Sequence, residues 1–335
     1  MRLSESLRKN IMEVSVGRVL NKFKVRSRRS VLFPEDILAN YVKECESKGH
    51  GKEVRKICRK YGILGSYLLM PSALRKLPLM LFLNRVLKIL WTNIGVLDDL
   101  HATKREDIII IETKNELISR IIGKNEFCTG FIEGVVSALS DHKAECIENI
   151  QTFKSCKYVI RVRGKTRLSI DAKNKEFYNK LNTFSPTRGF ELKGAIKGGF
   201  FTIIKNRVYF RGKPLVSTEP TFFHLIANNK IPTERVAHIS YDLFKDIIMK
   251  DASSEVKLTL LKNFLQTTGW GLVSTAIDDD KIVVSIRNPP YGLQSKKDNF
   301  DFLARFVLGF LWTIDKYSIS DVKLSYRFLK LVYCL

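Results

Sequence analysis

The chain has 335 residues, 45% of them hydrophobic, which suffices for two domains of ordinary size, each with its own core. Its 57 Lys and Arg against 34 Asp and Glu leave a net charge of +23, far from the near-neutral balance of a typical metabolic enzyme; this raises the hypothesis of an anionic partner such as nucleic acid or a ribonucleoprotein, while thermophile and peripheral membrane proteins are basic too. The N-terminal stretch lacks a signal-like apolar core, the apolar runs Leu77 to Trp91 and Phe302 to Ile314 are broken by charge short of the ~18 residues of a membrane span, and six cysteines show no disulfide framework; a cytosolic chain with reduced thiols is expected.

In chain order, the first feature is an alternating run in which a strand puts Lys22, Lys24, Arg26 and Arg28 on one face and Phe23 and Val25 on the other, with Arg29 continuing the charge. Arg28 to Asn40 reads as a short strand ending at Pro34, which opens a helix. Around Val54 a helix carries Lys52, Lys56 and Lys60 in one row beside Arg55 and Arg59. An apolar helix follows (Phe82, Leu87, Trp91), then a Gly break at Gly95, a charged turn at Lys104-Arg105-Glu106 and a β-branched strand from Ile108. A helix with Gly130 and Gly134 leads to a closing strand, where Arg161, Arg163 and Lys165 alternate with Val162 and Gly164 and Arg167 extends the row.

The same order then recurs. At an offset of 174, Leu87, Lys88 and Gly95 return as Leu261, Lys262 and Gly269, and Ile108 to Ile110 meet Ile282 to Val284; one residue of slip later, Phe131 and Gly134 meet Phe306 and Gly309. The strand before the helix at Pro34 has its counterpart in Arg207 to Thr221, with a helix from Pro220. The predicted fold is mixed α/β, two diverged copies of an α+β layer sandwich of ~150 residues packed as a pseudo-dimer. The boundaries are a first domain over 1–168, a linker over 169–194 that holds the Ser185-Pro186-Thr187-Arg188-Gly189 turn cluster, and a second domain over 195–335.

The stretch Gly130-Phe131-Ile132-Glu133-Gly134, then Ser137-Ala138-Leu139, Glu145, Cys156 and Lys157-Tyr158-Val159-Ile160, resembles the closing signature of the 4-vinyl reductase domain, and Tyr61-Gly62-Ile63-Leu64-Gly65 resembles that family's earlier Gly-containing helix. The resemblance covers roughly 30 to 162; in the second half only the architecture and Gly309 match. It implies a fold related to the TRAPP-type vesicle-tethering subunits, a ligand-sensing or regulatory role and, from the family's distribution, an archaeal source. No cofactor is expected, since a free cysteine is more often a small buried hydrophobe; the alternative that the resemblance implies is a zinc site, for which Cys128, Cys146, Glu148 and Cys156 stand nearest the family's positions, with His142 as a spare ligand. An apolar pocket is implied as well, lined by Phe82, Leu87 and Trp91 in the first copy and by Phe264, Leu265, Trp270, Phe306 and Phe310 in the second, unless these residues simply fill it. The Gly-x-x-x-Gly spacing places two glycines on one helix face, where another backbone can approach, within the domain or from a partner.

No H-E-x-x-H pair, phosphate loop or G-x-S-x-G elbow is present, and Asp278-Asp279-Asp280 reads as a hairpin tip, so an enzyme is not expected. Without an RNP motif, helix-turn-helix or zinc finger, the basic rows are expected to contact backbone phosphates rather than bases. The expectation is a non-enzymatic binding protein docking on nucleic acid; the rival is a sensor of a small hydrophobic ligand, or an adaptor.

Overall fold

The computed structural model describes residues 12–14, 28–69, 77–165, 192–278, 280–290, 297–325 and 328–335. Strands β1 (Met12–Val14) and β2 (Arg28–Pro34) lead into helix α1 (Glu35–Ser47), with Pro34 as the boundary and Glu35 and Asp36 in the first turn, where the helix dipole favours carboxylates. Helix α2 spans Gly51–Leu69; α3 runs through Leu79–Leu81, a π-helical turn Phe82–Leu87 and Lys88–Asn93. Gly95, at φ 75°, ends that block, and the hairpin β3 (Asp99–Arg105) and β4 (Ile108–Lys114) follows. After a short α4 (Ser119–Ile122), Asn125 caps α5 (Glu126–Ser140) by accepting from the Cys128 amide at 2.8 Å, and the hairpin β5 (His142–Gln151) and β6 (Ser155–Lys165) closes the first half.

The second half opens with α6 (Leu192–Lys197), so residues 192–194 of the predicted linker are helical and the rest of it lies outside the described residues. Strands β7 (Thr202–Ile204), β8 (Arg207–Phe210) and β9 (Lys213–Thr218) precede helices α7 (Pro220–Asn228), α8 (Val236–Ile247) and α9 (Ser254–Thr267). Then come β10 (Leu272–Asp278), β11 (Lys281–Arg287), α10 (Asp301–Leu311), β12 (Ser318–Ser325) and β13 (Phe328–Cys334).

The result is an α+β fold of antiparallel sheets under helices. One four-stranded sheet has the order β3-β4-β6-β5 and the other β10-β11-β13-β12, so both sheets place their strands in the same sequence of first, second, fourth, third. On the first sheet Ile109, Ile111, Tyr158 and Ile160 are buried in strict alternation with outward residues. The hairpin tip read at Asp278 to Asp280 falls between β10 and β11, and a hairpin stands both before and after each Gly-bearing helix, where the sequence singles out one strand apiece. Strand β3 escapes notice because its outward residues His101, Thr103 and Arg105 are polar and exposed, and its inward Ala102 is small. Its free edge is met by Asn84 of the π turn, whose amide exchanges two 2.8 Å hydrogen bonds with the Ala102 backbone as a neighbouring strand would.

A third sheet, β1-β2-β9-β8-β7, is shared: β2 of the first half pairs antiparallel with β9 of the second, Leu32 opposite Ser217 and Phe33 opposite Val216. The strand and helix at the head of each half insert into the other half. Phe33, fully buried, meets Phe223, Trp270, Phe302 and Phe306 at ring-centroid distances of 4.9–6.3 Å, and Tyr41 of α1 meets Phe302 at 5.0 Å. In return Phe222 of α7 lies 5.3 Å from Phe127 and 5.6 Å from Tyr61. The glycine-bearing helices do not form this joint. An ideal Cβ at Gly130 would stand 2.2 Å from the Arg55 carbonyl oxygen and one at Gly134 2.1 Å from that of Arg59, so α5 lies backbone to backbone on α2 of its own half. Gly309 of α10 repeats the contact at 2.1 Å from the Ala237 oxygen on α8.

Candidate ligand cavity at the joint of the halves

A cavity of about 90 Å³ lies where the exchanged arms meet the first half. Ser30 of β2 and Leu38 of α1 form one side; Tyr61, Leu90, Trp91 and Ile94 of the helical block form another; Phe127, Cys128 and Phe131 of α5 form a third; Val216 to Glu219 of the second half close it. The aromatic wall is continuous, with Trp91 to Phe131 at 5.6 Å and Tyr61 to Phe131 at 5.4 Å. The joint is tied beside it: the Ser30 hydroxyl lies 2.5 Å from that of Ser217 and donates to the Thr218 carbonyl at 2.9 Å, and the Glu219 amide donates to the Tyr61 hydroxyl at 3.2 Å.

One wall is polar. Glu116 and Leu117 line it from the turn between β4 and α4, a turn bounded by left-handed Asn115 (φ 52°) and Ile118 (φ 64°). A β-branched residue at positive φ is rare and persists only where its surroundings hold it. Here the buried Glu35 accepts the Ile118 amide at 3.0 Å and the Arg120 guanidinium through Nε at 3.1 Å, while Arg120 donates to the carbonyls of Asn115 (3.0 Å) and Gly95 (3.2 Å). Glu116 is itself buried; its Oε2 accepts from the Tyr158 hydroxyl at 2.6 Å and Thr113 at 3.1 Å, and Gln151 donates to Tyr158 at 2.9 Å. Burial raises the Glu116 carboxyl above the ordinary carboxylate range despite these donors, and it drives the Cys128 thiol well above its ordinary value.

The implied zinc set does not converge. Cys128 and Cys156 belong to the interior around Glu116, but on the β5–β6 ladder Cys156 faces Gln151 while Cys146 faces Ile160, four residues along, or about 13 Å at strand rise. Cys146 is occupied otherwise, its amide donating to Glu133 at 2.8 Å and its thiol to the Glu148 carbonyl at 3.2 Å, and the Glu148 side chain is exposed. Burial pushes the thiols of Cys146 to about 11 and Cys156 to about 12, away from the thiolate a metal needs. His142 turns its ring to the Ser140 carbonyl. Among the described residues no group of three or more His, Cys, Asp and Glu is arranged to hold a metal ion.

Of the expected pocket residues, Trp91 lines the cavity, whereas Phe82 and Leu87 are buried in the helical block away from it. In the second half Phe264, Leu265, Trp270, Phe306 and Phe310 are core: Phe264 to Phe306 is 6.2 Å, Phe244 to Phe310 is 4.9 Å, and Phe33 occupies the space beside Trp270 and Phe306. The arm of the first half thus fills part of the ground where the second pocket is expected.

The basic rows are also divided by the structure. Lys52, Lys56 and Lys60 are exposed along α2, and Arg59 is half-buried. Arg55 is not a free cation: its guanidinium binds Glu133 in a fork (2.6 and 3.2 Å), reaches the Cys146 carbonyl at 3.2 Å and lies 3.4 Å from Glu126. Glu133, buried beneath α2, needs that partner, so the pair is structural. Arg161 and Arg163 flank Asp107 at 4.0 and 3.9 Å. Lys22, Lys24, Arg26 and Arg167 lie outside the described residues; Arg28, Arg29 and Lys165 are placed in strands by their backbone alone. Sequence reading missed Glu116 and Arg120, since an isolated acid in a short connection carries no periodic signal.

No helix among the described residues is long and apolar enough to cross a membrane. No protein-family model matches the chain, and no curated protein matches it significantly. Among solved structures, the chain is similar to a trafficking protein particle complex subunit 3 from Naegleria fowleri, covalently bound to palmitic acid, at 12% identity and a TM-score of 0.29 over 40% of this chain and 97% of that one.

Proposed function

We propose that this protein is a non-enzymatic, cytosolic binding module, built as two diverged copies of a vinyl-reductase or TRAPP-like unit, that holds a small and mostly apolar ligand where its halves join. The observation that supports the reading is the cavity itself, walled by Tyr61, Trp91, Phe127 and Phe131 and closed by Val216 to Glu219 of the other half. A ligand lodged there touches both halves at once and so favours their joined arrangement, which gives a binding event a structural readout. Xenon is a direct probe of such a space. Titrated into the protein and followed by its NMR shift, it is expected to bind the native chain and to be displaced in Cys128→Met, whose longer side chain occupies the cavity; absence of binding to the folded native chain overturns the reading.

A second reading is favoured by the exposed Lys52, Lys56 and Lys60 ridge on a chain of charge +23: docking on nucleic acid through backbone phosphates. Fluorescence anisotropy with generic RNA and DNA across salt concentrations is expected to give a steep negative slope, reduced by roughly two to three when all three lysines become glutamate. A flat or absent signal at low salt removes this reading and leaves the cavity untouched.

A further inference from the structure

We infer that Glu116 anchors the ligand of the cavity, and that this ligand is a small amphiphile donating a hydrogen bond, an amine or an alcohol, rather than a carboxylic acid. The inference rests on the reading of the cavity as a ligand site and specifies its chemistry.

The sign of the cavity comes first. On a chain of net charge +23, two lining residues are acidic, Glu116 and Glu219, and none is Lys, Arg or His. The nearby guanidinium, Arg120, does not line the space; it is held by Glu35 and by the carbonyls of Gly95 and Asn115. With its donors taken up in this way, Arg120 offers an entering anion no hydrogen bond, whereas a donor or a cation finds an acceptor in Glu116.

Acceptor capacity comes second. A carboxylate offers about four acceptor sites, and the hydroxyls of Tyr158 and Thr113 both address the same oxygen, Oε2. The Cys156 thiol addresses the group as well, so as a carboxylate it keeps room for one more donor.

Positioning comes third. The turn that carries Glu116 is held in a strained conformation by the Glu35–Arg120 pair, which fixes the carboxyl before any ligand arrives. Size then limits the ligand: a cavity of about 150 Å³ admits benzene, so about 90 Å³ admits about four heavy atoms.

The test titrates the native chain with isopropylamine, 2-propanol, acetate and xenon, each followed by NMR. The amine and the alcohol are expected to bind at least about tenfold more tightly than acetate. In Glu116→Gln the amine is expected to lose about tenfold in affinity, while 2-propanol, which the amide oxygen still accepts, and xenon change little. If Glu116→Gln fails to fold, the order of ligands on the native chain decides alone. Xenon binding with acetate as tight as isopropylamine overturns the assignment of Glu116 and leaves the cavity reading standing; no binding of any probe, xenon included, overturns the cavity reading itself.

Discussion

Phe33→Ala is expected to destabilise the protein by about 3–5 kcal/mol, the usual cost of deleting a fully buried phenylalanine ring. Phe33 has no exposed surface and packs edge-on or tilted against four rings of the other half, so the loss combines buried apolar area with several aromatic contacts. Since domains of this size carry about 5–15 kcal/mol of stability in total, a fifth or more of it is at stake. Urea unfolding followed by tryptophan fluorescence reads the effect directly, because Trp270 lies against Phe33 and Trp91 sits in the first half. The midpoint should fall for both halves together, and Phe33→Leu should recover most of it. A loss below about 1 kcal/mol would mean that the exchanged arm contributes little to holding the halves together.

The second large effect is expected at Gly134. A methyl group there lands 2.1 Å from the Arg59 oxygen and 3.0 Å from the Ile63 nitrogen, both backbone atoms that no rotamer change can move aside. Helices α2 and α5 must separate, and the Arg55–Glu133 fork spans that interface. Overpacking costs about 1–3 kcal/mol where side chains can yield; against backbone, with a buried ion pair strained as well, Gly134→Ala is expected to cost about 3 kcal/mol or more, outweighing the roughly 1 kcal/mol that alanine gains in helix propensity. The control is Gly65→Ala on α2, where an added Cβ meets nothing within 4 Å. That substitution should stabilise by about 0.5–1 kcal/mol in the same urea assay. Equal behaviour of the two variants would remove the close approach as the reason for the glycine.

Much of this architecture is legible in the sequence, because alternation and glycine spacing report which face of an element is buried. The alternation Ile109, Ile111 and Tyr158, Ile160 gives the sheet, and Gly130 and Gly134 give a face made for close approach. What alternation does not report is the neighbour. Phe33 is an inward residue of β2 whichever half it enters, and Phe264 and Phe306 look alike as pocket wall or as core. Arg55 reads as one of a basic row because its partner Glu133 is 78 residues away in the chain. The cysteines fail for a related reason: their spacing counts residues, while convergence depends on a ladder register that sets Cys146 and Cys156 against different partners. Glu116 shows the limit most plainly, since its donor Tyr158 and the Glu35 carboxylate that holds its strained turn both come from far along the chain.

The exchange of arms also bears on how the molecule is made. A chain emerging N-terminus first, at about 5–20 residues per second, presents Phe33 well before Phe223, Trp270, Phe302 and Phe306 exist, an interval on the order of 10 to 60 seconds. During that time the newborn first half carries an apolar arm with no berth and an opening that Val216 to Glu219 and Phe222 will close. Closure of the first half therefore waits on synthesis of the second.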